Sequence, residues 1–401
     1  MTDDPAARGA ARISWIRSRM PLLAHVREDF AASRPFSGRR IGMSLHLEPK
    51  TAVLLETLAA GGAEIVATGN HGSTQDDVVA HLQSLGMTIH GRRDDTVAQH
   101  ERHIAAVLDA APDILLDNGG DLAAGVVRRR AAAEVAAVAA ATEVVGGTEE
   151  TTSGGLRLRR ELTGEVPFPV IVINDSVLKA IGENEHAVGQ SVVESIQRIT
   201  NLRIPGRRAL VVGYGWCGRG VARYLRALGA KVAVAEIDEL KAFEAAMEGY
   251  RVTTPAAIGD WPELVVTATG APGVLGADFF ARMADDVVLA NCGHVPWEID
   301  VPALRALAVA TDAVDDGIER FTLGDGRTAV LLADGRMMNL AGREPKGNSL
   351  ESMDLGFLLQ TLSLERVATR ASELPPGPQP VPEDLEREIA RRVLAVMGAD
   401  R

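Results

Sequence analysis

Short apolar runs alternate with helical stretches through the first half of the chain. Residues 39–48 (RRIGMSLHLE) predict a strand, and the segments EIVATGN, PDILLDNGG and PVIVIND predict three more. Helical stretches such as TAVLLETLAAGGAE, DDVVAHLQSLG and AAGVVRRRAAAEVAAVAAA follow these strands. Alternating strands and helices predict a parallel sheet with helices on its faces.

The same alternation continues in the second half. The segments RALVVGYG, KVAVAEID, LVVTATG, DVVLANC and TAVLLADG predict further strands, and residues 185–201 predict a connecting helix. Near the end of the chain, two helical stretches flank the proline-rich segment ELPPGPQPVPED. We therefore predict an α/β protein with two doubly wound parallel-sheet domains. The expected boundaries are 1–184, completed by 340–401, for the first domain and 185–339 for the second.

Composition narrows the functional classes. A chain of 401 residues is too long for one hydrophobic core, which supports two domains. Its net charge of -12 argues against nucleic acid or an anionic membrane as a partner. No long apolar run and no secretory signal occur, so we expect a cytoplasmic protein without a transmembrane helix. No Cys/His cluster has metal-ligand spacing, so no metal site is expected.

The segment GYGWCGRG has the pattern of a dinucleotide-binding loop. Its glycines Gly213, Gly215 and Gly218 follow an apolar strand and open a helix. The next predicted strand ends in Glu236, where a carboxylate would bind the ribose 2′-hydroxyl of NAD and repel the 2′-phosphate of NADP. The second domain is therefore predicted to be a Rossmann domain that binds NAD.

Polar stretches follow several predicted strands of the first domain, where open α/β sheets bind ligands. Taken singly, each is compatible with an ordinary turn or helix cap. They are SLHLEPKTA with His46, STQDD, LLDNGGDL with Asn118, GGTEETTSGG with Glu150, and INDSVLKAIGEN with Lys179.

With these motifs, the sequence resembles the S-adenosylhomocysteine hydrolase (adenosylhomocysteinase) family over nearly the whole chain. The resemblance rests on HLEPKTAVLLETL, STQD, EETT, NDSVLK, GYGWCGRG, EID, AMEGY, NCGH and the NL at Asn339. The length and HLEPKTA are similar to the shorter bacterial and archaeal members. The C-terminal tail with Lys and Tyr, by which longer members reach a neighbour's NAD, has no counterpart here.

The resemblance implies an enzyme whose NAD stays bound through the reaction. The family oxidises the ribose 3′-hydroxyl, which acidifies the C4′ proton. Homocysteine then leaves C5′, water adds, and the ketone is reduced again. A purine-nucleoside thioether is the implied substrate. A homo-oligomer is also implied, a tetramer by the family pattern or a dimer because the tail is missing.

The resemblance also assigns roles to individual residues. Lys179 would take the 3′-hydroxyl proton, Glu150 would hold the ribose hydroxyls, and His46 and His294 would act near C5′. Glu183 stands where the family has an aspartate four residues after the lysine. The residues expected to contact NAD are Thr151, Thr152, Asn184, Gly213, Gly215, Gly218, Glu236, Asn291 and Asn339.

Three departures from the family bear on the chemistry. Asn118 replaces an aspartate, and an amide cannot accept the C4′ proton at neutral pH, so Asp117, Asp121 or a histidine would have to do so. Lys50 replaces the glutamate that reads adenine in longer members, and Asn348 replaces a histidine of the base-reading loop. A lysine donor matches a 6-oxo purine such as hypoxanthine.

Two alternatives to hydrolysis remain open from the sequence. The first is an NAD-dependent nucleoside 3′-oxidoreductase or epimerase built on the same scaffold, because Asn118 leaves the elimination half of the reaction in question. The second is a nucleoside sensor that holds NAD without turnover. The presence of Lys179, His46, Glu150 and His294 argues against the sensor.

Overall fold

The computed structural model describes residues 4–70, 73–135, 143–293, 296–340 and 345–399. The chain divides into two compact units. Unit 1 comprises Met1–Lys179 with Leu350–Arg401, and unit 2 comprises Ala180–Ser349. Within the described ranges, no helix is long and apolar enough to cross a membrane.

The α-helices alternate with the strands, as the sequence predicts. In chain order they are α1 Pro5–Arg17, α2 Pro21–Ser33, α3 Pro49–Ala60, α4 Asp76–Ser84, α5 Val97–Asp109, α6 Asp121–Val135, α7 Thr152–Arg160, α8 Val177–Lys179, α9 Val188–Thr200, α10 Trp216–Ala227, α11 Glu239–Met247, α12 Pro255–Ile258, α13 Ala277–Phe280, α14 Val301–Leu307, α15 Leu350–Arg370 and α16 Glu383–Val396. Short 3₁₀ helices cover Ile173–Asp175, Ala333–Gly335, Met338–Leu340 and Ala371–Glu373.

The strands are short, and those at the centre of each sheet are buried. They are β1 Arg40–Leu45, β2 Glu64–Gly69, β3 Thr88–His90, β4 Ile114–Asp117, β5 Gly146–Glu149, β6 Pro169–Val172, β7 Arg208–Val212, β8 Lys231–Ala235, β9 Arg251–Thr253, β10 Leu264–Thr267, β11 Val287–Asn291, β12 Ala308–Asp315, β13 Ile318–Leu323, β14 Thr328–Leu332 and β15 Gly377–Pro380.

Unit 1 contains a parallel seven-stranded sheet in the order β15-β6-β5-β4-β1-β2-β3. From β1 the chain builds outward through β2 and β3, and then returns to place β4 on the other side of β1. Open α/β sheets bind ligands at such a reversal, beyond the carboxyl ends of the strands. The reversal therefore marks the ends of β1 and β4, which lead into His46 and Asn118.

Unit 2 contains an eight-stranded sheet in the order β12-β13-β14-β11-β10-β7-β8-β9. Its strand order reverses between β7 and β10, next to the glycine loop that follows β7. The α/β class with two wound sheets is thus confirmed, with one difference. Strands β12 and β13 form an antiparallel extension, with β13 antiparallel to β14.

A π-helix over Ala180–Ala187 connects α8 to α9. Helix α9 packs into the core of unit 2 through Val192, Val193 and Ile196, which are buried. The helix predicted over 185–201 is therefore present, mainly as α9, and the eight residues that precede α9 are wound more widely than an α-helix. Such π segments are rare and often occur at functional sites.

Candidate active site

His46 follows β1 and is held in place by the loop after β2 and by the first turn of α3. Its Nδ1 lies 2.7 Å from the Ser73 hydroxyl, and its backbone carbonyl accepts a 2.6 Å hydrogen bond from the Thr51 hydroxyl. Asn70, which follows β2, directs its side-chain Nδ2 toward His46 Nε2 at 3.5 Å. The same Nδ2 donates to Asn118 Oδ1 at 3.1 Å. Asn70 therefore brings together two residues that the sequence singled out.

The loop after β4 is fixed by two buried carboxylates. Asp117 accepts hydrogen bonds from the backbone amides of Asn118, Leu122 and Ala123. Burial raises the pKa of Asp117 to about 6. Its three backbone partners commit Asp117 to holding the loop and the start of α6, rather than to proton transfer.

Glu149, at the end of β5, holds the same loop from the neighbouring strand. It accepts hydrogen bonds from the amides of Gly119 and Gly120, both of which have positive φ, and from Thr151. Burial, and then the nearby Asp117 carboxylate, raise the pKa of Glu149 to about 8. Both carboxylates thus fix the backbone around Asn118.

Lys179 and Glu150 form a buried ion pair in unit 1. Lys179 stands at the end of α8, and Glu150 follows β5, where its backbone amide donates to the Asp117 carbonyl at 3.0 Å. The other Glu150 oxygen accepts from the side-chain amide of Gln360, which lies on α15. The sequence did not single out Gln360, which is 210 residues from its partner.

Lys50 lies in the first turn of α3 and is 2% exposed. Its ammonium lies 3.1 Å from Glu48 Oε1, so this substrate-site candidate is a buried charge with a carboxylate partner. A surface lysine would be solvated instead. The lysine therefore occupies an interior position, and its contact with the substrate stays a prediction.

Thr151 and Thr152 have local structural roles. Thr151 is the N-cap of α7, where its hydroxyl accepts from the Gly154 amide at 3.0 Å and donates to Glu149 Oε1 at 2.7 Å. Thr152 is the first residue of that helix and is exposed. Their contact with NAD stays a prediction.

The glycine loop of unit 2 has the geometry of a pyrophosphate cradle. Gly213 has a φ of 98°, and a Cβ on Gly218 would overlap the Gly213 carbonyl oxygen. A Cβ on Gly215 would meet nothing within 4 Å, so the N-terminus of α10 is open there. Helix N-termini of this kind bind phosphate groups through their backbone amides.

Glu236 closes the same loop at the end of β8. One of its oxygens accepts from the Tyr214 amide at 2.6 Å, and the other accepts from the amides of Ile237 and Asp238. A carboxylate has about four acceptor positions. These bonds occupy three, so the carboxylate can also accept from a ribose hydroxyl. The residues present therefore fit NAD.

Asn339 provides a second fit to NAD. It is buried, and its Nδ2 donates to the hydroxyl of Ser191 at 3.1 Å and faces Asn348 Oδ1 at 3.3 Å. Within the described residues, its Oδ1 is buried without a hydrogen-bond partner. Because a buried acceptor costs free energy when unpaired, this oxygen fits a donor such as the carboxamide of nicotinamide.

Asn348 lies with these cofactor candidates in unit 2. Its Nδ2 donates to Glu183 Oε1 at 3.4 Å, and its Oδ1 accepts from the Ser191 hydroxyl at 3.1 Å. Glu183 is buried in the π-helix that also contains Asn184, which is partly exposed. The structure thus joins Glu183, Asn348 and Asn339 in one hydrogen-bonded group with Ser191, which the sequence analysis did not single out.

Asn291 fixes the turn that precedes His294. Its Oδ1 accepts from the Gly293 amide at 2.8 Å and from the Thr267 hydroxyl at 3.0 Å, and its Nδ2 donates to the Gly335 carbonyl at 3.0 Å. The candidate His294 itself lies outside the described residues. In the part of the chain that the structure describes, no group of three His, Cys, Asp or Glu could hold a metal ion.

Comparisons with known proteins identify the family. A family model described as "S-adenosyl-L-homocysteine hydrolase" matches residues 4–143, and one described as "S-adenosyl-L-homocysteine hydrolase, NAD binding domain" matches residues 184–344. The S-inosyl-L-homocysteine hydrolase of Methanopyrus kandleri is 40% identical over 98% of this chain and 92% of its own length.

Two further relatives are equally similar. The adenosylhomocysteinase of Thermococcus kodakarensis is 40% identical over 98% of this chain and 92% of its own. The S-inosyl-L-homocysteine hydrolase of Methanosarcina mazei is 41% identical over 97% of this chain and 93% of its own. Because the matches span nearly all of both chains, the protein belongs to the S-adenosyl-L-homocysteine hydrolase family and carries that family's NAD-binding domain.

Proposed function

We propose that the protein catalyses the NAD-dependent hydrolysis of S-adenosylhomocysteine or a closely related purine-nucleoside thioether. The observation that carries the proposal is the buried pair of Lys179 and Glu150 in a member of this family. A charge pair of this kind has a high desolvation cost and is weak evidence for stability. A proton-transfer role gives such a pair a purpose.

The pair provides a base for the ribose 3′-hydroxyl. Within a contacting ammonium–carboxylate pair, a proton can move from Nζ to the carboxylate, which leaves a neutral amine able to accept the hydroxyl proton. Gln360 donates to the other Glu150 oxygen and fixes the orientation of that carboxylate. NAD, when bound, supplies the reversible oxidation of the 3′-carbon.

NAD would be held by the glycine loop, Glu236 and Asn339. The backbone amides at the start of α10 would bind the pyrophosphate, and Glu236 would accept from the ribose hydroxyl. The buried Oδ1 of Asn339 would accept from the nicotinamide carboxamide. Asn348 would help to position Asn339 directly and through Ser191, and Glu183 would hold the side chain of Asn348.

His46 would be the acid–base residue for the proton transfers at C4′ and C5′. Asn118 cannot take a proton at neutral pH, and the Asp117 carboxylate is committed to three backbone amides. Asp121 forms an ion pair with Arg157 at 2.7 Å. Of the replacements for the missing aspartate, the histidine is the one whose ring lies beside the Asn70–Asn118 pair.

For the substrate base, we propose a preference for a 6-oxo purine. Lys50 is a buried donor, and an exocyclic amino group facing it would leave polar hydrogens unpaired, which costs about 1–3 kcal/mol. Two of the relatives named above are S-inosyl-L-homocysteine hydrolases. Equal turnover of the adenosine and inosine thioethers, or an adenine preference, would contradict this specificity.

We also propose that the protein forms a homo-oligomer. Helix α11 and Ile237, two residues before it, expose large apolar side chains, with Ile237 96% and Leu240 81% exposed, followed by Phe243 and Met247. Contiguous apolar surface of this kind is typical of protein contacts. Light scattering after size-exclusion chromatography tests the proposal, and a monomer at micromolar concentration would contradict it.

The activity is tested by incubating the purified protein with the adenosine and inosine thioethers of homocysteine. Release of homocysteine is measured by thiol assay, and the nucleoside product by mass spectrometry. Turnover in deuterated water reports C4′ exchange. Cofactor reduction without C4′ exchange or thiol release would instead support the 3′-oxidoreductase or epimerase, which the amide at Asn118 favours. No cofactor reduction with any nucleoside would exclude both.

A further inference from the structure

Ser73 and Asn70 contact the two ring nitrogens of His46 and together indicate where the ring carries its proton. The Ser73 hydroxyl lies 2.7 Å from His46 Nδ1 and also donates to the backbone carbonyl of Asn70 at 3.1 Å. A serine hydroxyl has one proton to donate. When the hydroxyl donates that proton to the Asn70 carbonyl, which can only accept, its oxygen accepts from His46 Nδ1–H.

The opposite side of the ring agrees with this arrangement. Asn70 Nδ2 donates to Asn118 Oδ1 at 3.1 Å and directs its other hydrogen toward His46 Nε2 at 3.5 Å. An amide nitrogen is a donor only. It therefore faces the ring nitrogen that carries a lone pair in the Nδ1–H tautomer.

We propose that Ser73 is a positioning residue that holds His46 in the Nδ1–H tautomer, so that His46 Nε2 is the base for the substrate's C4′ proton. The inference rests on the proposed hydrolase function. Ser73 itself touches no reacting atom. It acts by fixing which nitrogen of His46 is available, as the partner of one ring nitrogen generally does for the other.

Every proton and electron pair of the elimination step can be accounted for. When the C4′–H bond of the 3′-ketone breaks, its proton goes to His46 Nε2 and its electron pair forms the C4′–C5′ double bond. The C5′–S bond breaks, and its electron pair leaves with the homocysteine sulfur. The imidazolium then returns a proton from Nε2 to the thiolate, so the ring ends neutral with its proton on Nδ1. Oxidation at C3′ precedes this step and does not use His46.

The test compares two Ser73 variants in the full-length protein with NAD bound. In Ser73→Ala, homocysteine release and C4′ exchange in deuterated water should fall by about tenfold or more, the scale of one lost hydrogen bond. The rapid absorbance change of cofactor reduction on adding nucleoside should persist. Ser73→Thr keeps a hydroxyl and should restore release. Ser33→Ala is a matched control, because Ser33 is exposed and its hydroxyl also donates to a backbone carbonyl.

A second readout follows the ring directly. With ¹⁵N-labelled histidine, the His46 signals are assigned by their loss in His46→Gln. At neutral pH they should show a protonated Nδ1 in wild type and in Ser73→Thr, and a shift toward protonated Nε2 in Ser73→Ala. This measurement separates tautomer control from a purely structural role of Ser73.

Three results would overturn the proposal. They are wild-type homocysteine release in Ser73→Ala, unchanged ring signals in that variant, or an equal loss of cofactor reduction and release. Failure of the underlying function has a different signature, because the wild-type protein would then release no homocysteine at all.

Discussion

Substitutions in the Lys179–Glu150 pair should affect the stability of unit 1 and the oxidation of the ribose differently. The two side chains are 4% and 8% exposed, so replacing Lys179 by methionine leaves a buried carboxylate without its cation. Removing one partner of a buried pair costs about 3–5 kcal/mol, mostly from the uncompensated charge. Lys179→Met should therefore lower the free energy of unfolding of unit 1 by that amount.

Adding Glu150→Gln to the Lys179→Met variant should restore most of this lost stability. Glu150→Gln keeps the shape of the side chain and removes the charge, so the double variant no longer buries an unpaired ion. We expect it to recover at least about 2 kcal/mol of the single-variant loss, within the usual range of coupling between contacting residues. Oxidation of the ribose should remain absent in the single and double variants, because the proton acceptor is missing in both.

The assay is native-state hydrogen exchange of the β4 and β5 amides, which reports the stability of unit 1. Cofactor absorbance after adding nucleoside reports the chemistry in the same samples. Lys179→Arg serves as the control that retains a cation. If the double variant were as unstable as the sum of the two single variants, the assignment of the loss to an unpaired charge would be wrong.

Three further changes give direct outcomes. Gly218→Ala should abolish NAD retention, measured as nucleotide released on denaturation, because its Cβ would overlap the Gly213 carbonyl. Glu236→Ala should weaken NAD binding by about 1.5–3 kcal/mol, the scale of a charge-assisted hydrogen bond, in calorimetric titration of the apoprotein; unchanged affinity would remove Glu236 from the site. Burial raises the pKa of Asp354 from 3.8 to about 6. Its contribution to stability is thus full below the unfolded pKa of 3.8 and lost as pH rises through 6, so lowering the pH from 7 to 4 should stabilise wild type over Asp354→Asn by about 2 kcal/mol in urea unfolding.

The central strands were predictable because they are buried on both faces and read as continuous apolar runs. Strand β5 was not, since its sequence GGTE has no apolar residue. It is nevertheless buried, because a Cβ at Gly147 would lie 2.6 Å from the Leu115 carbonyl, so only glycine fits. Strand β12 was not predicted either, for the opposite reason. Its residues are almost all exposed, so its sequence has no hydrophobic face that would indicate a strand.

The site shows a similar division. Residues within contiguous motifs, such as Lys179 and Glu236, could be assigned by resemblance. Asn70 and Gln360 could not, because their roles depend on contacts made across the sheet or from a distant helix. Ser73 lies within the STQD motif, but its contact with His46 was visible only in the structure. Asn70 left one usable signal, since it ends a predicted strand at the edge where His46 and Asn118 also lie.

The wide turns of the π-helix over Ala180–Ala187 fix the rotational phase of α9. Each residue of an α-helix advances the chain by about 100° around the axis. Winding all eight residues of the segment as ordinary α-helix would rotate the following turns and would turn the face with Val192, Val193 and Ile196 out of the core of unit 2, whereas removal of one residue would compensate most of that rotation. The same segment packs its Glu185 carbonyl against Gly220, where a Cβ would overlap it. The winding of this stretch therefore determines which face of α9 enters the core of unit 2.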